Sequence, residues 1–115
     1  MKRGDVRAMY QLGKMLMTGD GVERNYKAAY NLFSKSAKEG YAKSFNKMAL
    51  MHQKGMGRPV SVRNAFKLYK LAADSGSVQG CYGVGYLLYK GLGVKQDYAK
   101  AVEYLEKGAA KKHAG

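Results

Sequence analysis

Tryptophan is absent, proline and cysteine occur once each, and only 8 of 115 residues are acidic. A single cysteine, Cys81, excludes an intramolecular disulfide. It occupies a small apolar slot in a helical pattern, where a buried, inert thiol is expected. Two histidines, His52 and His113, do not make a metal cluster, because such sites take three or four ligands. His52 falls on an apolar helical stripe and reads as a packed residue with one satisfied nitrogen. The few acids form no carboxylate pair, and no convergent set of nucleophile, base and orienting group stands out. No catalytic residue, cofactor or metal is therefore expected. No run approaches the roughly 18 apolar residues that span a bilayer. Met1-Lys2-Arg3-Gly4-Asp5 lacks the apolar stretch of a signal peptide. The expectation is a soluble chain with no membrane insertion and no assigned compartment.

What is plentiful is positive charge, tyrosine and glycine. Twenty-one Lys and Arg give a net charge of +13. A field of that sign favours anionic partners, though charge alone specifies none. The excess peaks mid-chain. Residues 41–76 carry 7 basic and 1 acidic side chain, against 6 and 4 in residues 5–40 and 6 and 3 in residues 77–112. Ten tyrosines can pack a ring and leave the hydroxyl wet, which suits a layered protein with little deep interior.

Most of the fifteen glycines are placed by a gapless repeat of 36 residues. Gly19-Asp20-Gly21-Val22 falls on Gly55-Met56-Gly57-Arg58 and on Gly91-Leu92-Gly93-Val94. Gly4, Gly40 and Gly76 open the units. Ala29, Ala65 and Ala101 coincide, as do Ala37, Ala73 and Ala109. A period of this length means stacked supersecondary units, whose function resides in an extended surface. We read residues 1–115 as one domain with repeats at about 5–40, 41–76 and 77–112. Gly-x-Gly follows a helix here, without Gly-Lys-Ser/Thr, so it is no phosphate cradle. Ser44-x-x-Lys47 has the form of a penicillin-recognising motif, but its Ser-Asp-Asn and Lys-Thr-Gly partners are absent.

Each unit reads as helix, glycine loop, helix. In the first helix Met9, Leu12, Gly13 and Leu16 line one face, as do Phe45, Met48, Ala49, His52 and Cys81, Val84, Gly85, Leu88. Small residues at 13, 49 and 85 allow a close helix approach. Asp5 and Ser77 are candidate N-caps, whereas Tyr41 is not. Gly19, Gly55 and Gly91 suit the left-handed turn that ends a helix. Asn25, Ser61 and Asp97 then cap the second helices. These carry Ala29, Leu32, Phe33 and Ala37 in the first unit, with Ala65, Leu68, Tyr69, Ala73 and Ala101, Tyr104, Leu105, Ala109 in the others. Arg58-Pro59 predicts a differently bent loop in the middle unit.

Ala8-x-Tyr10-x-Leu12-Gly13, Gly19-x-Gly21-Val22-x-x-Asn25, Lys27-Ala28-Ala29 and Lys35-Ser36-Ala37-x-x-Gly40 resemble the Sel-1-like repeat. The third unit resembles it more closely through Tyr82-x-x-Gly85, Gly91-Leu92-Gly93-Val94-x-x-Asp97-Tyr98-x-Lys100-Ala101 and Lys107-x-Ala109. The resemblance covers about residues 4–112. It implies an all-α fold related to tetratricopeptide proteins, a right-handed α/α superhelix whose first helices line a concave face. Members of that family act as adaptors in quality-control ligases of the endoplasmic reticulum, as chitin synthase activators and as bacterial signalling or host-interaction factors. The resemblance implies a protein-interaction scaffold and transfers no partner.

Positions of the first helices off the core stripe predict the concave face: Arg7, Tyr10, Lys14 and Met17; Lys43, Asn46, Leu50 and Gln53; Gln79, Tyr82, Tyr86 and Tyr89. Tyr and Arg are favoured contact residues, and Tyr82, Tyr86 and Tyr89 form the most suggestive cluster. An acidic or extended segment of another protein is the expected occupant. Lys27, Lys35, Arg63, Lys67, Lys70, Lys100 and Lys107 are expected to face outward. Nucleic-acid binding through charge stays open, without a recognised motif. A purely structural segment of a longer array also stays open. There the poorly capped end at Tyr104 and Leu105 would drive self-association.

Overall fold

A computed structural model describes residues 3–114. Lys2, counted above in the basic excess, lies outside that range. The described residues form six helices and no strand: α1 (Arg3–Thr18), α2 (Tyr26–Lys38), α3 (Ala42–Lys54), α4 (Val62–Asp74), α5 (Val78–Lys90) and α6 (Tyr98–Ala114). Helices pack in sequence order, as hairpins α1–α2, α3–α4 and α5–α6 joined by the α2–α3 and α4–α5 seams. The result is the expected α/α superhelix of three repeats, with extents of 42 × 33 × 22 Å.

The loops repeat bond for bond. Gly19, Gly55 and Gly91 sit at φ +77°, +69° and +70°, where a side chain would be strained. The N–H groups of Asn25, Ser61 and Asp97 donate back to the carbonyls of Leu16, His52 and Leu88 at 2.8, 2.8 and 3.0 Å. The side chains of the same three residues accept from Ala28, Asn64 and Lys100 N–H at 3.0, 3.2 and 3.0 Å. The middle loop is therefore not bent differently. Glycine conformation and the closing bonds dictate the path, and Pro59 replaces exposed residues, Glu23 and Lys95, of the sister loops.

Ser77 caps α5 by accepting from Gly80 N–H, and Tyr41 makes no side-chain cap bond. Asp5 corrects the cap expectation. It lies inside the first turn of α1, where a carboxylate still favours the positive end of the helix dipole.

The predicted core stripe holds in α3 and α5, where Met48, Ala49, His52, Cys81, Val84 and Leu88 are buried. Cys81 is a free, buried thiol. In α1 the stripe is rotated. Val6, Tyr10, Gly13 and Met17 are buried, while Leu12 is 43% exposed. Among the described residues no helix packs on the outer side of α1, so half of its stripe has no partner. Small residues on the stripe admit large ones opposite. A Cβ on Gly13 would fall 2.7 Å from the Phe33 ring, and one on Gly85 2.8 Å from Leu105.

The unusual residues of the middle repeat belong together. The His52 ring lies edge-on to Tyr30, with its Nε2 3.0 Å from the Tyr30 hydroxyl. The Arg58 guanidinium stacks 3.5 Å above the same ring. The next repeat holds Phe66, Leu88 and Val94 in these places, packed as an apolar group. One seam thus uses a polar trio where the other uses a greasy one. His52 Nδ1 and Arg58 Nε have no hydrogen-bond partner. Burial, then the Arg58 charge, push the His52 pKa below its usual range.

Candidate functional site

The first helices α1, α3 and α5 share one face, and three recesses run across it. One of about 330 Å³ lies between α3 and α5, lined by Asn46, Lys47, Leu50, Gln53, Gln79, Gly83 and Tyr86, with Tyr69 reaching in from α4. A second, of about 600 Å³, is lined by Tyr10, Lys14, Lys43, Lys47, Ser77 and Gln79. The third, of about 320 Å³, is bounded by Gln11, Lys14, Met15, Met17, Thr18, Asp20 and Lys47. Lys47 borders all three. Asp20, at the rim of the third, is the one acid among the residues named on these walls.

Lys47 is half-buried. Burial lowers its pKa below the ordinary lysine range, and the Lys14 charge lowers it further. An anion placed here would meet two ammonium groups, with Lys43 exposed beside them. The floor is built by complementary sizes. Gly83 leaves room for the Tyr69 ring, whose carbons would lie 2.6 Å from an added Cβ. The Tyr69 hydroxyl donates to Gln53 Oε1 at 3.0 Å, and burial raises its pKa. Asn46 Nδ2 donates to Ser77 Oγ at 2.8 Å, while Asn46 Oδ1 has no partner. A buried, unpaired acceptor costs about 1–3 kcal/mol.

The expected site residues divide. Lys14, Lys43, Gln53, Gln79 and Tyr86 line the recesses, with Leu50 beside them. Arg7 is exposed and borders none of these three. Tyr10 and Asn46, expected as contact surface, are buried at 7% and 6% exposure. Tyr10 packs against Tyr41 and Phe33, with ring centroids 5.1 and 5.8 Å away. Met17 is likewise buried. Tyr82 turns away from the recesses, its Cε1 placed 2.8 Å from where a Gly108 Cβ would be. Tyr89 is exposed and pairs with Tyr98 at 5.5 Å, beyond the loop. The tyrosine cluster therefore splits, and Tyr86 alone of the three faces the strip.

The cause is a rotation of one residue. Positions 10, 17 and 46 are buried, with Tyr10 and Asn46 covered by Tyr41 and Ser77 of the following repeat. The strip is formed instead by 11, 47 and 83 with 14, 50 and 86. Lys47, Gln11 and Gly83 were missed for this reason, and Tyr69, on α4, was read as a packed residue of a second helix. The set chosen already held 43, 50, 79 and 86, and the signal available was that 47 and 83 fall between them on the same helical face. Lys27, Lys35, Arg63, Lys67, Lys70, Lys100 and Lys107 are all exposed. Ser44 hydrogen-bonds Ser36 in the buried α2–α3 seam, so the formal Ser-x-x-Lys pair presents no nucleophile to the strip. Leu105 is exposed at the last helix, whereas Tyr104 packs on the core. Among the described residues no helix is long and apolar enough to cross a membrane.

The family model for the Sel1 repeat matches residues 6–41, 46–77 and 78–113. The chain is 34% identical over 77 residues to chitin synthase regulatory factor 2 of Schizosaccharomyces pombe, covering 66% of this chain and 15% of that protein. It is 33% identical over 102 residues to mouse protein sel-1 homolog 2, covering 89% of this chain and 15% of the relative. The chain thus spans about 15% of the length of these relatives. Among solved structures it superposes on a Sel1 repeat protein from Oxalobacter formigenes with a TM-score of 0.87, at 28% identity over 93% of this chain and 44% of that one. A protective antigen of uropathogenic Escherichia coli with an SLR fold gives 0.88, at 31% identity over 95% of this chain and 23% of the other.

Proposed function

The chain belongs to the Sel1 repeat family, and we propose that it is a non-catalytic scaffold that holds an acidic, extended segment of another protein along the α1–α3–α5 strip. The carrying observation is Lys47, half-buried, depressed in pKa beside Lys14 and common to all three recesses. Carboxylates would stabilise the charged form that burial opposes. Gln53 and Gln79 suit the main chain of an extended segment, and Tyr86 supplies contact area. Two relatives named as a chitin synthase regulatory factor and a sel-1 homologue fit a regulatory, partner-holding role. The three repeats act here as one unit, since the strip crosses all of them.

The competing reading is charge-driven nucleic-acid binding, spread over the exposed lysines of the second helices. Titrating the full chain with a fluorescein-labelled oligoglutamate peptide and a single-stranded oligonucleotide separates the two. Lys47→Ala is expected to weaken the peptide about tenfold, the loss of one partly desolvated charge contact of about 1.4 kcal/mol. Lys35→Ala with Lys70→Ala on the outer face is expected to leave it unchanged. Equal weakening by both, or tighter oligonucleotide binding weakened mainly by the outer pair, would overturn the groove.

A further inference from the structure

On the reading that an acidic segment lies in the strip, we infer that its phosphorylated serine or threonine seats in the recess of about 600 Å³, among Lys14, Lys43 and Lys47. The group recognised is a phosphomonoester dianion carried by a peptide.

The walls of this recess set the charge of its ligand. Lys14 comes from α1. Lys43 and Lys47 stand four residues apart on α3, hence on one face and about 6 Å apart along its axis. Lys14 and Lys47 are half-buried, and the Lys14 ammonium lies 5.4 Å from the centroid of the Tyr10 ring. The Lys14 charge is felt at Lys47, whose pKa it lowers beyond the effect of burial. The remaining walls are Tyr10, Ala42 and residues 75–79, none of them acidic. Asp20 borders the smaller recess beside Lys14 and Lys47, not this one. Three like charges thus share one cavity with no carboxylate on its walls, and they repel one another until an anion enters.

The cluster is not chemistry common to the three repeats. The 36-residue period aligns Lys14 with Leu50 and Tyr86, and Lys47 with Gln11 and Gly83. It aligns Lys43 with Arg7 and Gln79. Each position is lysine in one repeat only, yet the three lysines meet at one recess. The recess between α3 and α5 has Leu50, Gln53, Gln79 and Tyr86 on its walls, with Lys47 as its one cation among the lining residues. A carboxylate brings a single charge and two oxygens to three ammonium groups. A phosphoryl group brings a charge of about −1.5 to −2 and three strong acceptor oxygens, one for each lysine. Lysine serves such a group as a mobile point charge with three donors.

Fluorescence anisotropy of the full chain tests this, with the labelled oligoglutamate peptide carrying glutamate, serine or phosphoserine at its centre. Near pH 7.5 the phosphoserine peptide is expected to bind about tenfold tighter than the glutamate peptide. That ratio is expected to fall as pH drops toward about 5.5, because the second phosphate pKa is about 6 while glutamate, near about 4.3, stays ionised. Lys14→Gln with Lys43→Gln is expected to abolish the preference, and Lys35→Gln with Lys70→Gln on the outer face to keep it. Inorganic phosphate is expected to displace the phosphoserine peptide only far above the Kd of that peptide. Equal binding of the phosphoserine and glutamate peptides overturns the phosphoryl pocket and leaves the acidic-segment reading standing. Failure of both peptides to bind overturns the two together. A preference that survives Lys14→Gln with Lys43→Gln, or inorganic phosphate that binds as tightly as the peptide, also overturns the inference.

Discussion

The Ser36–Ser44 pair gives a sharp test of how the seams are held. Both side chains are fully buried, and the Ser36 hydroxyl donates to the Phe33 carbonyl. The Ser44 hydroxyl is then the donor toward Ser36 Oγ. The two alanine substitutions are therefore unequal. Ser44→Ala removes one neutral hydrogen bond and leaves Ser36 bonded to Phe33, a loss of about 1 kcal/mol. Ser36→Ala strands a buried hydroxyl without its acceptor, a loss of about 2 kcal/mol. Replacing both removes the polar groups together and reproduces the chemistry of the Ala72–Gly80 seam, so the double variant should lose about 1 kcal/mol or less. Independent effects would sum to about 3 kcal/mol, so a coupling of about 2 kcal/mol is expected. Urea unfolding of the four proteins measures it. In thermal scans each kcal/mol moves the midpoint by about 4 °C for a chain of this length. A double variant as unstable as the sum of the singles would refute the account, because the hydroxyls would then be acting separately.

His52 should make stability pH-dependent. Its folded pKa is depressed, so the unfolded chain takes up the proton more readily. The contribution is present above the unfolded value of about 6.5 and is lost as pH falls through that value toward the folded one. His52→Leu, which copies Leu16 and Leu88, should flatten the decline of the midpoint between about pH 7.5 and 5. An unchanged slope in thermal scans by circular dichroism would show that His52 titrates alike in both states. Gly93→Ala should cost at least about 2 kcal/mol by urea unfolding, from overpacking added to backbone strain. Its Cβ would lie 2.4 Å from the Val62 carbonyl in the adjoining repeat. A loss below about 1 kcal/mol would mean that the α4 start yields easily.

Much was legible because the 36-residue period repeats the local chemistry three times. Caps and loop glycines act through bonds to residues three to nine positions away, so Asn25, Ser61 and Asp97 could be assigned from spacing alone. Asp5 failed for the same reason in reverse, since α1 extends past it. His52 reads as a packed side chain with one bonded nitrogen, as observed, although its partner Tyr30 lies in the previous repeat. The middle loop kept its shape despite Arg58-Pro59, because glycine φ values and backbone bonds outweigh the identity of an exposed side chain.

By itself, then, the amino-acid sequence determined the helices, most of their ends, the repeat register and the excess of positive charge. All of these follow from interactions local along the chain or from simple counting. Tertiary structure alone decided which way each first helix is turned. The spacing could not separate 10, 46 and 82 from 11, 47 and 83, because a single residue step of about 100° moves a side chain from the groove to the seam. What covers Tyr10 and Asn46 is the following repeat, and what leaves Lys47 half-desolvated beside Lys14 is the curvature that brings three first helices together. Burial and like-charge proximity arise from packing between distant segments, and no reading of one helix at a time contains them.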